Sequence, residues 1–302
     1  TLPFGPTNSP SAMSISPTTG LWCVTATDAP VVGIIARCRA HGQWTCILRW
    51  SWKTGKLDEG SWTTMRLGAH RCTLSRNGEF LLYHATGPKE GPFDGIAGGA
   101  FAISRLPWLT SLTHTKTFGP GPGGGPSRDA LPPRQQDRLW AMFKDWPNYV
   151  RDEHWPRHLG SGWFGLPSDD PILKSNPAIL AVDKPPYLAA ATRVPDTGLT
   201  LLAVVFGTEH TWSVWDGHLR FFIVNDQAPE STGEELTGVC WASRAPGGRV
   251  LVATTDAKLR VLVYPPNSAL PATPKIEGEH DLSNLKPSAN PPAPWAKGPL
   301  RG

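Results

Sequence analysis

The chain has 302 residues, of which 29 are basic and 25 acidic, and its net charge is +4 at neutral pH. The basic residues are scattered and form no stripe or tail, so nucleic acid is not an expected partner. No apolar run approaches the roughly 20 residues that a transmembrane helix needs, and no membrane association is expected. A chain of this length is compatible with one closed all-β domain.

The cysteines indicate the redox environment. There are five, an odd number, and none lies in a C-x-x-C pair. Each lies in or beside an apolar run, where cysteine packs as a small hydrophobe. We therefore expect free, buried thiols and a soluble protein of a reducing, cytoplasmic compartment, with no metal and no cofactor. The cysteines are Cys23, Cys38, Cys46, Cys72 and Cys240.

The first 19 residues are rich in Pro, Ser and Thr and show no periodicity, which predicts an extended or disordered arm. The folded part is expected to begin at residue 20. Four apolar stretches separated by turns then predict four strands. These stretches are residues 21–26, 31–38, 45–52 and 61–65.

A pattern of strand, polar turn and strand then recurs along the chain. Its turns lie at Ala29, Gly78, Gly198 and Gly248, about 50 residues apart except for one interval of 120 residues. Four-stranded units of ~40–50 residues are typical of propeller blades. We therefore predict an all-β fold, a β-propeller of about five four-stranded blades, with four to six possible. It spans residues 20–264 and carries one short helical insertion.

Two of these segments resemble known propeller repeats. The strand and turn at Lys53-Thr54-Gly55-Lys56 resemble WD40-type and TolB-type blades, and residues 74–83 are similar to the Ser-Pro-Asp-Gly turn of TolB-like repeats, with Arg76-Asn77 in place of Pro-Asp. The chain departs from the WD40 pattern because Trp215-Asp216 is its only Trp-Asp pair and no Gly-His opens a blade. The resemblance implies a propeller and transfers no functional residue.

Residues 119–161 interrupt the rhythm. A Gly/Pro-rich loop at 119–126 precedes a segment, 132–145, that predicts a short helix with Pro in its first turn. Residues 162–182 offer material for one irregular blade. From residue 265 to 302 the chain is again Pro-rich and is predicted to be a tail that can contribute a closing strand.

The insertion contains the most distinctive side chains, because four Trp fall within 24 residues of a polar, Pro-rich segment. Such a segment is too small to bury them alone, so they must pack on the propeller or on a partner. We predict a binding surface with these Trp as anchors and nearby Arg as polar neighbours. The predicted binding residues are Trp140, Trp146, Trp155, Trp163, Arg134, Arg138 and Arg151.

The sequence evidence for a catalytic or metal-binding cluster is weaker than the evidence for the Trp-rich surface. His154 and His158 are four residues apart, but Pro156 between them disfavours the helix that a zinc pair would need. Asp169-Asp170 precedes a proline, a combination common in turns and caps. No catalytic residue is predicted.

These observations favour a non-enzymatic protein-interaction or scaffold module that binds a protein partner through propeller loops and the Trp-rich insertion. A subunit of a larger assembly is a related interpretation. The alternative is a glycosidase-like hydrolase with carboxylates at the mouth of the propeller channel. Candidate acids for it include Asp28, Asp183 and Glu209 beside Asp169 and Asp170.

Overall fold

The computed structural model describes residues 19–38, 44–86, 100–116, 133–142, 162–207, 219–228, 233–268, 270 and 273–298. These residues form four antiparallel sheets that follow one another along the chain and are arranged as the blades of a β-propeller. Four blades lie at the lower end of the predicted range. No helix in the described part of the chain is long and apolar enough to cross a membrane.

The first blade is a four-stranded meander in the order β1-β2-β3-β4. Its first three strands are almost entirely buried, whereas the fourth is largely accessible, as expected for strands at the centre and the outer edge of a blade. The strands are β1 (Thr19–Thr25), β2 (Val31–Cys38), β3 (Trp44–Ser51) and β4 (Lys56–Thr63).

The second blade has two short inner strands, β5 and β6, which both pair with β7 because a 3-10 helix at Ala69–Arg71 separates them. After this blade, α1 (Pro133–Ala141) lies within the segment predicted to be helical. The strands are β5 (Arg66–Leu67), β6 (Thr73–Leu74), β7 (Phe80–Thr86), β8 (Ala100–Arg105) and β9 (Ser111–Lys116).

The third blade takes up the residues predicted to form an irregular blade. Residues 162–182 give one short strand of this sheet and two short helices, and no separate sheet. The helices form because Asp170 and Asn176 cap them and prolines occupy their first turns. The elements are β10 (Phe164–Leu166), α2 (Pro171–Ser175), α3 (Pro177–Leu180), β11 (Pro186–Arg193), β12 (Leu199–Phe206), β13 (Leu219–Asn225) and β14 (Gly233–Glu235).

The fourth blade is completed by a strand from the Pro-rich tail. This strand, β18, pairs with β17, so the tail completes the blade that precedes it in sequence, and the first blade is built from its own four strands. The elements are β15 (Val239–Ala245), β16 (Arg249–Thr254), β17 (Lys258–Val263), β18 (Lys275–Asp281) and α4 (Pro294–Lys297).

The main core is shared by all four blades. Trp50, Tyr83, Phe221 and Trp241, one from each blade, are each at most 1% exposed. A second, smaller core lies between the third blade and the helices α2 and α3. Strand β12 supplies both cores, because its successive side chains point to opposite faces. Leu201, Ala203 and Val205 enter the main core, and Leu202, Val204 and Phe206 enter the second.

The first blade contacts both of its neighbours through β1, which lies against β6 and β15, and the third blade contacts the fourth through β13 and β15. The Cys240 thiol donates to the carbonyl of Leu21 across the seam between the fourth and first blades, at 3.5 Å. At the seam between the first and second blades, a Cβ added to Gly60 would lie 2.1 Å from the carbonyl oxygen of Pro107. The backbones at this second seam are therefore packed too closely for any side chain at position 60.

All five cysteines are free thiols in the structure, and four of them are fully buried. Burial raises the pKa of Cys72 and of Cys240 to about 12. Such thiols remain protonated and unreactive at neutral pH.

Candidate functional site

The recurring turns gather at one end of the propeller. They follow β1 in the first blade, β6 in the second, β11 in the third and β15 in the fourth. Hydrogen bonds join the turns in pairs: the Asp28 N–H donates to the carbonyl of Arg76 at 2.9 Å, and the Gly248 N–H donates to the carbonyl of Pro195 at 3.0 Å. We call this end of the propeller the rim.

Backbone geometry explains part of the turn pattern. Gly78 and Gly248 have φ values of +70° and +68°, and a Cβ would lie 2.8 Å from Val31 Cβ at the first and 2.5 Å from the carbonyl oxygen of Tyr264 at the second. Glycine is therefore required at both by conformation and by space. In the third blade the left-handed residue is Asp196, with φ of +63°, and not the predicted turn position Gly198.

Side chains reinforce the two pairs of turns. The Arg76 Nε donates to Asp28 Oδ2 at 2.9 Å and joins the turns of the first and second blades. This hydrogen bond lowers the pKa of Asp28. The N–H of Gly247 donates to Asp196 Oδ2 at 3.1 Å and joins the turns of the fourth and third blades. The seam between the first and fourth blades is left open between these pairs.

The open seam forms a groove of about 950 Å³, which we call the rim groove. Its first wall consists of residues 25–30 and 52–55 of the first blade. Its second wall consists of residues 243–247 together with Arg249, Glu277 and Gly278 of the fourth blade, and Pro195 of the third blade also lines it. Leu251 and Val261, both buried, form an apolar floor, and the half-buried Trp52 adds an aromatic side.

The acidic residues of the groove are neutralised. Arg249 holds Glu277 through two hydrogen bonds of 2.6 and 2.8 Å, which lower the pKa of Glu277. Asp28 is held by Arg76. A catalytic general acid needs a raised pKa, so these two carboxylates give the hydrolase alternative no support.

Two basic residues of the groove differ from these pairs. Lys53 is exposed in the β3–β4 turn, and Arg244 is half-buried on β15. Within the described residues, neither has an acidic group within 4.0 Å or another hydrogen-bonding partner. The Arg244 guanidinium lies against Gly162, where a Cβ would lie 2.1 Å from its Nη2. The uncompensated charge of the rim groove is therefore positive.

The predicted binding residues have different positions. Arg134 and Arg138 are exposed on α1. Trp163 is 8% exposed and packs edge-to-face on Phe221, with 6.5 Å between ring centroids, so it is a core side chain and not a surface anchor. No ring contact or hydrogen bond in the described part of the chain joins Trp163 to either arginine. The side chain of Trp140, and residues Trp146, Trp155 and Arg151, lie outside the described residues.

The acids considered for catalysis are also accounted for in part. Asp170 caps α2 by accepting from the Ile172 N–H at 3.0 Å, and Asp183 is exposed in a loop. Glu209 and the segment that contains His154 and His158 lie outside the described residues. Among the residues that are described, no group of three or more His, Cys, Asp or Glu side chains is placed to hold a metal ion.

The rim groove could not be predicted from the sequence. The motif Lys53-Thr54-Gly55-Lys56 and the turn at Gly248 indicate only two local turns, the second of which follows Arg244 at the end of β15. They become two walls of one site only when the fourth blade closes against the first, and no local pattern signals that contact. The sole sequence signal was the presence of a cation in or next to each turn, Lys53 and Arg244.

Where the tail crosses the first and second blades, in contrast to the rim groove, charged side chains of the blades are hydrogen-bonded to the tail. We call residues 282–298 the C-terminal strap. Glu59 Oε1 accepts hydrogen bonds from Ser288 Oγ at 2.7 Å and from Asn290 Nδ2 at 3.2 Å. The buried Arg105 donates through Nη1 to the carbonyls of Trp295 and Gly298, at 3.1 and 2.5 Å. The strap is therefore held on the first and second blades by four hydrogen bonds among the described residues.

Comparisons with known proteins add little to this description. No protein-family model and no curated protein matches the chain. Among solved structures, the chain is similar to the β-propeller domain of Cps50 (Swd1) from Myceliophteria thermophila, with 10% sequence identity over 87% of this chain and 76% of that chain and a TM-score of 0.22. The assignment of the propeller fold therefore rests on the sheet topology of the chain itself.

Proposed function

We propose that this propeller is a non-enzymatic protein-interaction module that binds its partner at the rim groove. The supporting observation is the groove itself: about 950 Å³ of concave surface, made by loops on a rigid sheet scaffold, with an apolar floor and charged walls. Binding sites are commonly built in this way, from loops that a rigid scaffold positions. A role as one subunit of a larger assembly is included in this proposal.

The insertion is proposed as a second contact region. Arg134 and Arg138 are exposed on α1, and Trp140 belongs to the same helix. Arg151, Trp146 and Trp155 complete the proposed surface, and Trp163 is left out of it because it is buried. The buried free thiols support a reducing, cytoplasmic location.

A groove-filling substitution tests the proposal. A Cβ at Gly278 would meet no atom within 4 Å, so Gly278→Trp can add a large side chain to the groove lining without a clash at its base. Lys275→Trp is the matched control, because it lies on the same strand and outside the groove lining. A third variant lacks residues 127–160.

Affinity capture from a cell extract followed by mass spectrometry compares the intact chain with the three variants, after circular dichroism has shown that each is folded. We expect Gly278→Trp to lose at least about tenfold of the captured partner, the deletion to lose less, and Lys275→Trp to match the intact chain. Equal capture by Gly278→Trp and Lys275→Trp would contradict binding at the groove.

A further inference from the structure

We propose that the rim groove binds an acidic linear peptide segment that also carries apolar side chains. This inference rests on the proposed function and names the chemical class of the partner. It is drawn from the charge of the two walls, the position of Arg244 and the apolar floor.

The two walls present cations to the same space. Lys53 belongs to the first blade and Arg244 to the fourth, and both line the groove. The two acids of the lining, Asp28 and Glu277, are already held by Arg76 and Arg249. A carboxylate entering the groove therefore meets two cations that have no acidic partner among the described residues. A basic segment would meet uncompensated repulsion.

The Arg244 side chain is held in place by its packing. Its guanidinium rests on Gly162, whose φ of +80° and missing side chain allow the close approach. Part of the side chain is buried, so it loses less conformational freedom on binding than a fully exposed arginine would. A planar guanidinium held in this way can donate two parallel hydrogen bonds to one carboxylate.

The size and floor of the groove favour a peptide over a small anion. Ligand pockets usually occupy about 300–1,000 Å³, and the rim groove is near the upper end of that range. The apolar floor of Leu251 and Val261, with Trp52 at one side, makes no favourable contact with an anion that lacks apolar groups. A segment with an apolar side chain between acidic residues uses both the floor and the cations.

The test uses fluorescence anisotropy with the full chain and a labelled peptide of about ten residues in which Glu and Leu alternate. The comparison peptide has Gln in place of every Glu. We expect the acidic peptide to bind at least about tenfold more tightly than the Gln peptide, and its affinity to fall as salt screens the contact. Equal affinities for the two peptides would overturn the proposal.

Charge reversal locates the site. We expect the double variant Lys53→Glu, Arg244→Glu to bind the acidic peptide at least about tenfold more weakly than the intact chain. The control is Lys174→Glu, Lys184→Glu, which makes the same change of charge at exposed positions that do not line the groove, and it should stay within about twofold. Equal losses in both double variants would overturn the assignment to the groove.

A third comparison separates a partner from the chain itself. The insertion at residues 119–161 contains the adjacent acids Asp152 and Glu153. If the acidic peptide binds only after Asp152→Asn and Glu153→Gln are introduced, the chain's own insertion is the occupant and the proposal is overturned. If Gly278→Trp abolishes partner capture but the acidic peptide does not bind, this inference fails and the proposed function stands. If capture is also unaffected by Gly278→Trp, both fail.

Discussion

The rim groove and the C-terminal strap show two ways in which the same propeller treats a surface between blades. At the strap, the chain covers the first and second blades with its own tail, which forms hydrogen bonds with Glu59 and Arg105. At the rim groove, the first and fourth blades leave a cleft in which Lys53 and Arg244 have no acidic partner in the described part of the chain. Paired polar groups mark the surface that holds the tail, and cations without an acidic partner among the described residues mark the surface that we propose binds a partner.

The largest expected effect comes from removing the buried arginine of β8 that binds the strap. Arg105 has a side-chain exposure of 6%, contacts Glu79 as well as two strap carbonyls, and lies 5.6 Å from the ring centroid of Phe80. Arg105→Ala removes these charge-assisted hydrogen bonds from a buried side chain and leaves Glu79 and the two strap carbonyls without this donor. We expect it to lower the free energy of unfolding by about 2–4 kcal/mol, measured by urea denaturation.

The control for this substitution is Arg134→Ala, which truncates an exposed arginine of α1 and should change stability by less than about 0.5 kcal/mol. Hydrogen exchange of residues 282–298 should rise in Arg105→Ala and not in the control. If the two variants were equally stable, the strap would not be the stabilising surface that the comparison requires.

An intermediate effect is expected from a matched pair of strand glycines. Gly60→Ala places a methyl group against the carbonyl of Pro107 at the closed seam, and we expect it to destabilise the chain by about 1–3 kcal/mol. Gly278→Ala places the same group in open space beside the rim groove, and it should be neutral or stabilise by up to about 1 kcal/mol. Thermal unfolding of both variants measures the contrast, and similar melting temperatures would contradict a closed seam and an open groove.

The smallest effect concerns the ion pair in the wall of the groove. Arg249 lowers the pKa of Glu277 below its ordinary value of 4.5, so the carboxylate contributes stability above that pH and loses it as the pH falls through the lowered pKa. Because the pair is partly exposed, we expect Glu277→Gln to cost about 0.5 kcal/mol at pH 7. The cost should shrink as the pH is lowered below about 4, where Glu277 is itself protonated.

Urea denaturation of the intact chain and of Glu277→Gln at a series of pH values measures this dependence. A cost that stayed constant across the series would mean that the side chain acts through packing and not through its charge. If Glu277→Gln lowered the free energy of unfolding as much as Arg105→Ala does, the rim groove and the C-terminal strap would not differ in their contribution to stability.

Much of the blade architecture could be predicted from local patterns. The first two strands of the first blade, the turns at Gly78 and Gly248 and the helix around α1 follow from alternating apolar residues, left-handed glycines and an initial proline. The number of blades could be predicted only as four to six, because residues 162–182 were assigned to an irregular blade, whereas Asp170 and Asn176 cap two short helices there. Trp163 was misjudged because its position in the sequence groups it with the insertion, whereas its neighbour in space is Phe221 of the third blade.

The sequence by itself determined the repeating unit, since strand alternation and turn conformation depend on residues close together in the chain. Only the tertiary structure decided which turns face each other, where the tail runs and which charges find partners. Arg105 meets the strap, and Lys53 shares a groove with Arg244, through contacts between residues far apart in sequence. Closing the ring of blades creates these contacts, and a pattern confined to one blade carries no information about them.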